Sequence, residues 1–349
     1  MGLTDLGAWA MRQLDPEVAH GLAIRALQTT PLPAPAADDP ILRTRLAGLD
    51  LPNPIGLAAG LDKNAEALGG LSKLGFGFVE CGSVTPLAQP GNPKPRLFRL
   101  SEDRGIINRM GFNNAGLDAF AERLARRPKD VIVGANLGAN KDQDDRAADY
   151  VTGLRRLDGL ADYFTANISS PNTPGLRALQ GRAALDDLLG RMAEARTPGG
   201  PALFLKIAPD LTPDEIAMIV EAAMAHGIDA LIVSNTTLDR PESLRSRFAA
   251  EAGGLSGAPV RDRARAALSA ASQASAGRLP LIAVGGIDSG DEAYRRIRAG
   301  ASAVQIYSAL IYDGPGLVRR IKRDLAARLR ADGFSTVQDA VLAGPLTER

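Results

Sequence analysis

The sequence predicts an α/β protein: a closed (β/α)8 TIM barrel with a small N-terminal two-helix extension. Three observations lead there. Eight short apolar segments alternate with helical stretches from about residue 41 onward. Most of them are continuous Val, Ile, Leu and Ala runs without period-two alternation, as expected of parallel strands buried on both faces. A doubly wound open sheet would carry a G-x-G-x-x-G turn after its first strand, and that turn is absent. The 349 residues are enough for one large barrel, and a hydrophobic content of 45% is enough for its core.

The elements follow in order. Residues 1–37 read as a helical extension with its linker, and residues 38–349 as the barrel. Leu3, Leu6, Trp9, Ala10 and Leu14 recur at helical spacing. Asp15-Pro16-Glu17 starts a second helix: Asp15 caps it, Pro16 suits its first turn and Glu17 complements the dipole. Ala19, Leu22, Ala23, Ala26 and Leu27 form its apolar side. The proline-rich run Thr30–Pro35 cannot continue a helix. The barrel strands are expected at Ile55–Gly60, Phe78–Val84, Val131–Gly138, Tyr163–Ser170, Leu203–Pro209, Ala230–Thr236, Leu281–Ile287 and Ala303–Ser308. Pro213–His226 and Asp291–Ala299 are helices between them. Gly91–Asn114 is longer than a simple connection and reads as a functional loop without regular structure of its own.

In such a barrel the loops after the strands form the reactive face. Polar residues collect there: Lys63 after strand one, Ser83 in strand two, Asn136 in three, Asn167 and Ser170 in four, Lys206 in five, and Ser234, Asn235 and Thr236 in six. Asn108, Asn113, Asn167, Asn172 and Asn235 suit a flat heterocycle whose C=O and N–H groups alternate, because each amide offers both donors and an acceptor. Asn is also a common turn residue, which is the plainer reading of any one of them. Lys206 lies inside the apolar run Leu205–Ala208, and a buried ammonium is costly unless paired. A flavin gaining negative charge on reduction is one partner; a structural ion pair is the other. Gly285-Gly286 and Tyr307-Ser308 fall where barrels bind phosphate, after strands seven and eight. Gly253–Gly257 reads as a mobile glycine-rich loop able to close over that position.

Composition excludes several classes. A net charge of +1 suggests no nucleic-acid partner. The single cysteine, Cys81, excludes an intramolecular disulfide and an iron–sulfur centre held by this chain alone. With only His20 and His226, no metal site is expected, so redox chemistry must come from an organic cofactor. No apolar run approaches the ~18 residues of a membrane span, and the N-terminus does not read as a signal peptide.

The run Asn167-Ile168-Ser169-Ser170-Pro171-Asn172-Thr173-Pro174-Gly175 resembles the active-site segment of dihydroorotate dehydrogenases. Ala58–Lys63, Asn108–Asn113, Val233–Thr237, Gly253–Gly257 and Val284–Ser289 are similar to the membrane-associated, quinone-using class. The match runs in order from about Leu14 to about Leu317. The resemblance implies oxidation of dihydroorotate to orotate in pyrimidine biosynthesis, with FMN as cofactor and a membrane quinone as acceptor. A proton would leave C5, and a hydride would pass from C6 to the flavin.

By that resemblance Ser170 is the catalytic base, where the soluble class carries cysteine. A dry site and a water relay to Thr173 would help a serine act so. Lys63, Asn108, Arg109, Met110, Gly111, Phe112, Asn167, Asn172, Asn235 and Thr236 match substrate-binding positions. Ala59, Gly60, Lys63, Ser83, Asn136, Asn167, Lys206, Ser234, Gly257, Gly286, Tyr307 and Ser308 match FMN contacts. Ser83 and Ser234 stand where relatives often have Thr, keeping the hydroxyl and losing a methyl. The N-terminal helices would touch the membrane surface and form a quinone tunnel, with His20 and Arg99 at its polar positions. A satisfied helical histidine is the plainer reading of His20. The expected location is the cytoplasmic face of the inner membrane, with no iron–sulfur partner subunit.

Three rivals remain at this level. One is the same chemistry with a soluble acceptor, against which Ser170 and the extension count. Another is an FMN barrel reducing uridine in RNA, for which a basic surface is missing. The third is a barrel that binds a nucleotide without catalysis, which gives no reason to place Ser170, Lys63 and Asn172 together.

Overall fold

The computed structural model describes residue 7 and residues 9–346. In chain order its strands are β1 (Thr44–Leu46), β2 (Leu49–Leu51), β3 (Ile55–Leu57), β4 (Phe78–Val84), β5 (Leu97–Leu100), β6 (Gly105–Asn108) and β7 (Val133–Leu137). Then follow β8 (Tyr163–Asn167), β9 (Ala202–Ile207), β10 (Ala230–Val233), β11 (Gly254–Gly257), β12 (Leu281–Val284) and β13 (Ala301–Ile306). The strands β3, β4, β7, β8, β9, β10, β12 and β13 close into a barrel in that order. Every neighbouring pair is parallel. The (β/α)8 architecture read from the sequence is therefore the one observed.

Strand ends differ from expectation in one systematic way. β8 stops at Asn167 and β10 at Val233, short of the Ser170 and Thr236 that the apolar runs suggested. Those final residues leave the ladder and turn over the barrel mouth, still enclosed, so composition alone does not mark the end of pairing.

The lower end is plugged by the antiparallel hairpin β1–β2. Its Leu46 and Leu51 join Phe78, Tyr163, Phe204 and Ile232 of the barrel strands in a small core of their own. Tyr163 stacks on Phe204 with centroids 4.5 Å apart. Outside, helices cover the barrel with their apolar faces; Pro213–Ala225 starts at a capping box made by Thr212 and Glu215.

Two expectations need correction. Gly91–Asn114 is not devoid of regular structure, since it contains β5 and β6. Gly254–Gly257 is not a free loop but strand β11, paired antiparallel to β6 with Leu255 opposite Ile107. The strands β11, β6 and β5 form a sheet over a satellite core of Phe98, Leu100, Ile107 and Leu255. Glycines disguised β11, yet the pairing needs them: a Cβ on Gly254 would lie 2.0 Å from the Thr236 hydroxyl oxygen.

At the N-terminus, residues 9–11 are helical, whereas Leu3 and Leu6 of the first expected helix lie outside the described residues. The second helix is Pro16–Thr29, and the Asp15 carboxylate accepts from the Glu17 and Val18 N–H groups, as the sequence predicts. Glu17 is held by Arg96 at 2.7 Å and by Lys94 at 3.2 Å, which ties the helix to the strand sheet of the barrel mouth. Leu27 approaches Gly70 so closely that a Cβ there would sit 2.1 Å from its carbonyl oxygen. The helix is thus seated by the largely enclosed Glu17–Arg96 pair, by the Gly70 contact and by Ile24, which joins the barrel core.

Candidate active site

A cavity of about 500 Å³ opens at the C-terminal ends of the barrel strands and continues beneath the N-terminal helix. Of the residues singled out by sequence, Ala59, Gly60, Lys63, Ser83, Asn108, Met110, Gly111, Phe112, Asn167, Ser170 and Asn172 line it. So do Lys206, Ser234, Asn235, Thr236, Gly257, Gly286, Tyr307 and Ser308, together with His20 and Arg99 at the far end. Three do not. Arg109 turns away: it bonds Glu251 at 2.7 Å and lies over the Phe98 ring. Asn113 is absent from the lining, although its Oδ1 is buried without a partner. Asn136 sits fully buried behind the wall and reaches the site only through Ser83 and Asn167.

Ser170 follows β8 in a turn, and its Oγ accepts the Asn172 N–H at 3.3 Å. Asn172 donates to Asn108 Oδ1 at 3.1 Å, and Asn92 donates to the Asn172 carbonyl at 3.0 Å. The segment carrying Ser170 is thereby tied to the end of β6. Arg177 secures it from the other side, donating to the Ser169 carbonyl, the Thr236 carbonyl and Asp210. The Thr173 hydroxyl is buried with no partner, which leaves it available to bridge to a water.

Lys63 donates to the Gly60 carbonyl at 2.8 Å. Its loop is organised by buried Asp62, whose carboxylate accepts the N–H groups of Asn64, Glu66 and Ala67. Burial, with the Arg96 guanidinium second, lowers Lys63 to about 8. It therefore remains largely cationic at neutral pH while being cheap to neutralise above it.

Lys206 is 5% exposed and its ammonium has no hydrogen-bond partner among the described residues. Burial lowers its pKa, opposed by the charge of Glu80. An ammonium facing a cavity in this condition calls for an anionic or accepting ligand. The same cavity is lined by hydroxyls at Ser83, Ser234, Ser256 and Ser308, the last two bonded at 2.8 Å. Gly286, at φ +72°, admits no side chain, since a Cβ would meet the Arg261 Cα at 2.6 Å. A cation, hydroxyls and bare backbone form a donor set that fits a flavin nucleotide.

The far end is more apolar. Met11, Ala19, Ala23 and Leu27 line it with His20 and Arg99. Arg99 is occupied with the carbonyls of Arg12 and Leu14, at 2.7 and 3.2 Å. Burial, with the charge of Lys63 second, lowers His20 to about 3, so its ring is neutral.

Sequence reading missed Ser169, Gln305 and Glu80. Ser169 bonds both Asn167 and Asn235. Glu80 is fully buried in β4 and accepts from Asn136, Gln305 and Tyr163. The signal was present: a carboxylate inside the apolar run Phe78–Val84 is the same anomaly that drew notice to Lys206.

Comparison with known proteins agrees with this geometry. The profile of the dihydroorotate dehydrogenase family matches residues 41–329. The dihydroorotate dehydrogenase (quinone) of Rhodospirillum rubrum is 58% identical over 333 residues, covering 94% of this chain and 91% of that protein. That of Parvibaculum lavamentivorans is 54% identical over 343 residues, covering 98% of each. Among solved structures, DHODH from Eimeria tenella in complex with ferulenol superposes with a TM-score of 0.90 at 44% identity, covering 94% of this chain and 95% of that one. With the barrel, the amide-lined cavity and nearly full-length similarity in agreement, this chain belongs to the dihydroorotate dehydrogenase family of flavoenzymes.

Proposed function

We propose that the protein oxidises dihydroorotate to orotate at Ser170, with FMN seated against Lys206, and delivers the electrons to a membrane quinone. The observation that carries this reading is the single cavity joining Ser170 and Lys206 at the barrel mouth to His20 and Met11 under the N-terminal helix. Its near end is polar and built for a planar imide; its far end is apolar and suits a quinone ring. When bound, FMN supplies what no side chain here offers, a two-electron acceptor for the hydride leaving C6.

The chain's own residues do the rest. Asn108, Asn167, Asn172 and Asn235 orient the ring of the substrate by complementary amide contacts. Lys63 holds its carboxylate. Ser170 takes the C5 proton and passes it through water towards Thr173. Gly286, Ser308 and neighbouring backbone receive the cofactor phosphate. Trp9, Leu14, Val18 and Leu22 are exposed, and positions 14, 18 and 22 share a spacing of four residues. We assign this apolar stripe to the membrane surface. No helix among the described residues is long and apolar enough to cross a membrane.

The test is steady-state oxidation of dihydroorotate by the yellow full-length protein in detergent, with a soluble quinone analogue, fumarate or NAD as acceptor. Turnover with the quinone alone is expected. Removing residues 1–30 should abolish it and spare anaerobic flavin reduction. Turnover with fumarate or NAD overturns the acceptor; an unreduced flavin overturns the reaction.

The lowered pKa of Lys63 gives a second expectation. Its proton is bound below about 8 and lost above it. Orotate affinity should be flat from pH 6 to 7, then weaken towards about tenfold per pH unit above 8. Lys63→Arg, charged throughout this range, should remove the bend. Orotate titrations followed by the flavin spectrum between pH 6 and 9 decide it; a flat wild-type profile excludes Lys63 as the carboxylate partner.

A further inference from the structure

The hydrogen bonds of the amide array all run one way. Asn235 Nδ2 donates to Ser169 Oγ at 2.9 Å, and Ser169 Oγ donates to Asn167 Oδ1 at 2.9 Å. Asn167 Nδ2 donates to Ser83 Oγ at 2.9 Å, and the Ser83 hydroxyl donates to Asn136 Oδ1. Asn136 Nδ2 then donates to Glu80 Oε1 at 2.7 Å. Six side chains from several barrel strands make one donor chain, and it ends on Glu80.

An ionised carboxylate can only accept, whereas amides and hydroxyls can face either way. Glu80 is therefore the acceptor-only end of the chain, and donor-only backbone groups hold the other members to the same direction: the Thr236 N–H on Asn235 Oδ1 at 2.8 Å and the Ser169 N–H on Asn167 Oδ1 at 3.4 Å. Glu80 forces the NH2 of Asn136 inward, which turns Asn136 Oδ1 towards Ser83 and Asn167. So placed, Asn136 Oδ1 accepts the NH2 of Asn167, whose amide lines the cavity with that of Asn235. The other Glu80 oxygen accepts Gln305 Nε2 at 2.9 Å, leaving Gln305 Oε1 buried, without a partner, in a residue that lines the same cavity.

We propose that Glu80, fully buried beneath the floor of the cavity, is a positioning residue that holds Asn136 in the one orientation the substrate- and flavin-facing amides require. The inference rests on the proposed flavin and substrate reading of the cavity. Glu80 touches neither ligand; it acts through Asn136 and Gln305. Without an acceptor-only terminus, Asn136 can turn its NH2 towards Ser83 and Asn167, against the direction that backbone N–H groups hold at Asn167 and Asn235.

The swap of two isosteric groups tests this in flavin-loaded, full-length protein. Orotate affinity is read from the flavin absorbance change, with melting temperature and flavin content alongside. Glu80→Gln lets the terminus donate as well as accept, and should weaken orotate binding by about tenfold or more. Asn136→Asp sets two acceptors face to face and should weaken it at least as much. Combining E80Q with N136D restores complementarity: the new amide donates to the new carboxylate, still accepts from Gln305 and Tyr163, and Ser83 and Asn167 still donate to position 136. The double variant should return to within about threefold of wild type.

Losses that add in the double variant overturn the proposal, as does wild-type affinity in either folded single variant. If a single variant fails to fold, the double still decides, and one no more stable and no tighter than the worse single overturns it. A purely structural role for Glu80 would move the melting temperature without rescue of orotate affinity. Failure of wild type itself to perturb its flavin with orotate would instead sink the functional reading.

Discussion

Ser170→Ala is expected to slow anaerobic flavin reduction by dihydroorotate by about a hundred- to ten-thousandfold, the range lost with a general base. Binding should change little. The Ser170 oxygen accepts one hydrogen bond, from the Asn172 N–H at 3.3 Å. Asn172 keeps its side-chain bond to Asn108 when that is lost. Loss in the rate with orotate affinity preserved within about threefold is the signature of an interaction made in the transition state. Ser170→Cys should recover part of the rate and bring the limiting ionisation down, because a free thiol titrates near 8.5. Stopped-flow reduction across pH reads both variants. Near-normal reduction in Ser170→Ala would remove this serine from the mechanism.

Lys206→Met is expected to lower the reduction potential of the bound flavin by about 30–60 mV. The sign follows from charge: a buried ammonium stabilises the negatively charged reduced ring more than the neutral oxidised one. Its removal makes reduction harder. For two electrons about 30 mV corresponds to ~1.4 kcal/mol, a modest electrostatic effect for a buried cation. Flavin reduction by dihydroorotate should slow accordingly. Equilibration with a reference dye measures the potential directly. An unchanged potential would mean that Lys206 serves Glu80 as a structural counter-charge, the plainer reading open to a lysine in an apolar strand.

Much of the molecule was legible in its residues. Continuous apolar runs at regular spacing marked eight parallel strands, because a strand buried on both faces has no polar side to show. Asp15-Pro16-Glu17 marked a helix start that the Asp15 carboxylate does cap. Polar residues at strand ends marked the reactive face, since a barrel exposes those ends to one cavity. What stayed hidden was the strand β11, written in glycines that pair only because β6 lies beside them. Arg109 was misplaced for a related reason: neighbours in sequence share a segment, yet Glu251 and Phe98 draw its side chain out of the cavity.

The sequence alone determined the barrel, the family and the kinds of group gathered at its mouth, because each rests on local composition and on motifs contiguous in the chain. The tertiary structure decided which of those groups meet, which turn away, and in which direction their hydrogen bonds run. Glu80 shows why. Its role depends on Asn136 and Gln305, residues 56 and 225 positions distant. Only closure of the barrel brings a group that can do nothing but accept against amides that can face either way.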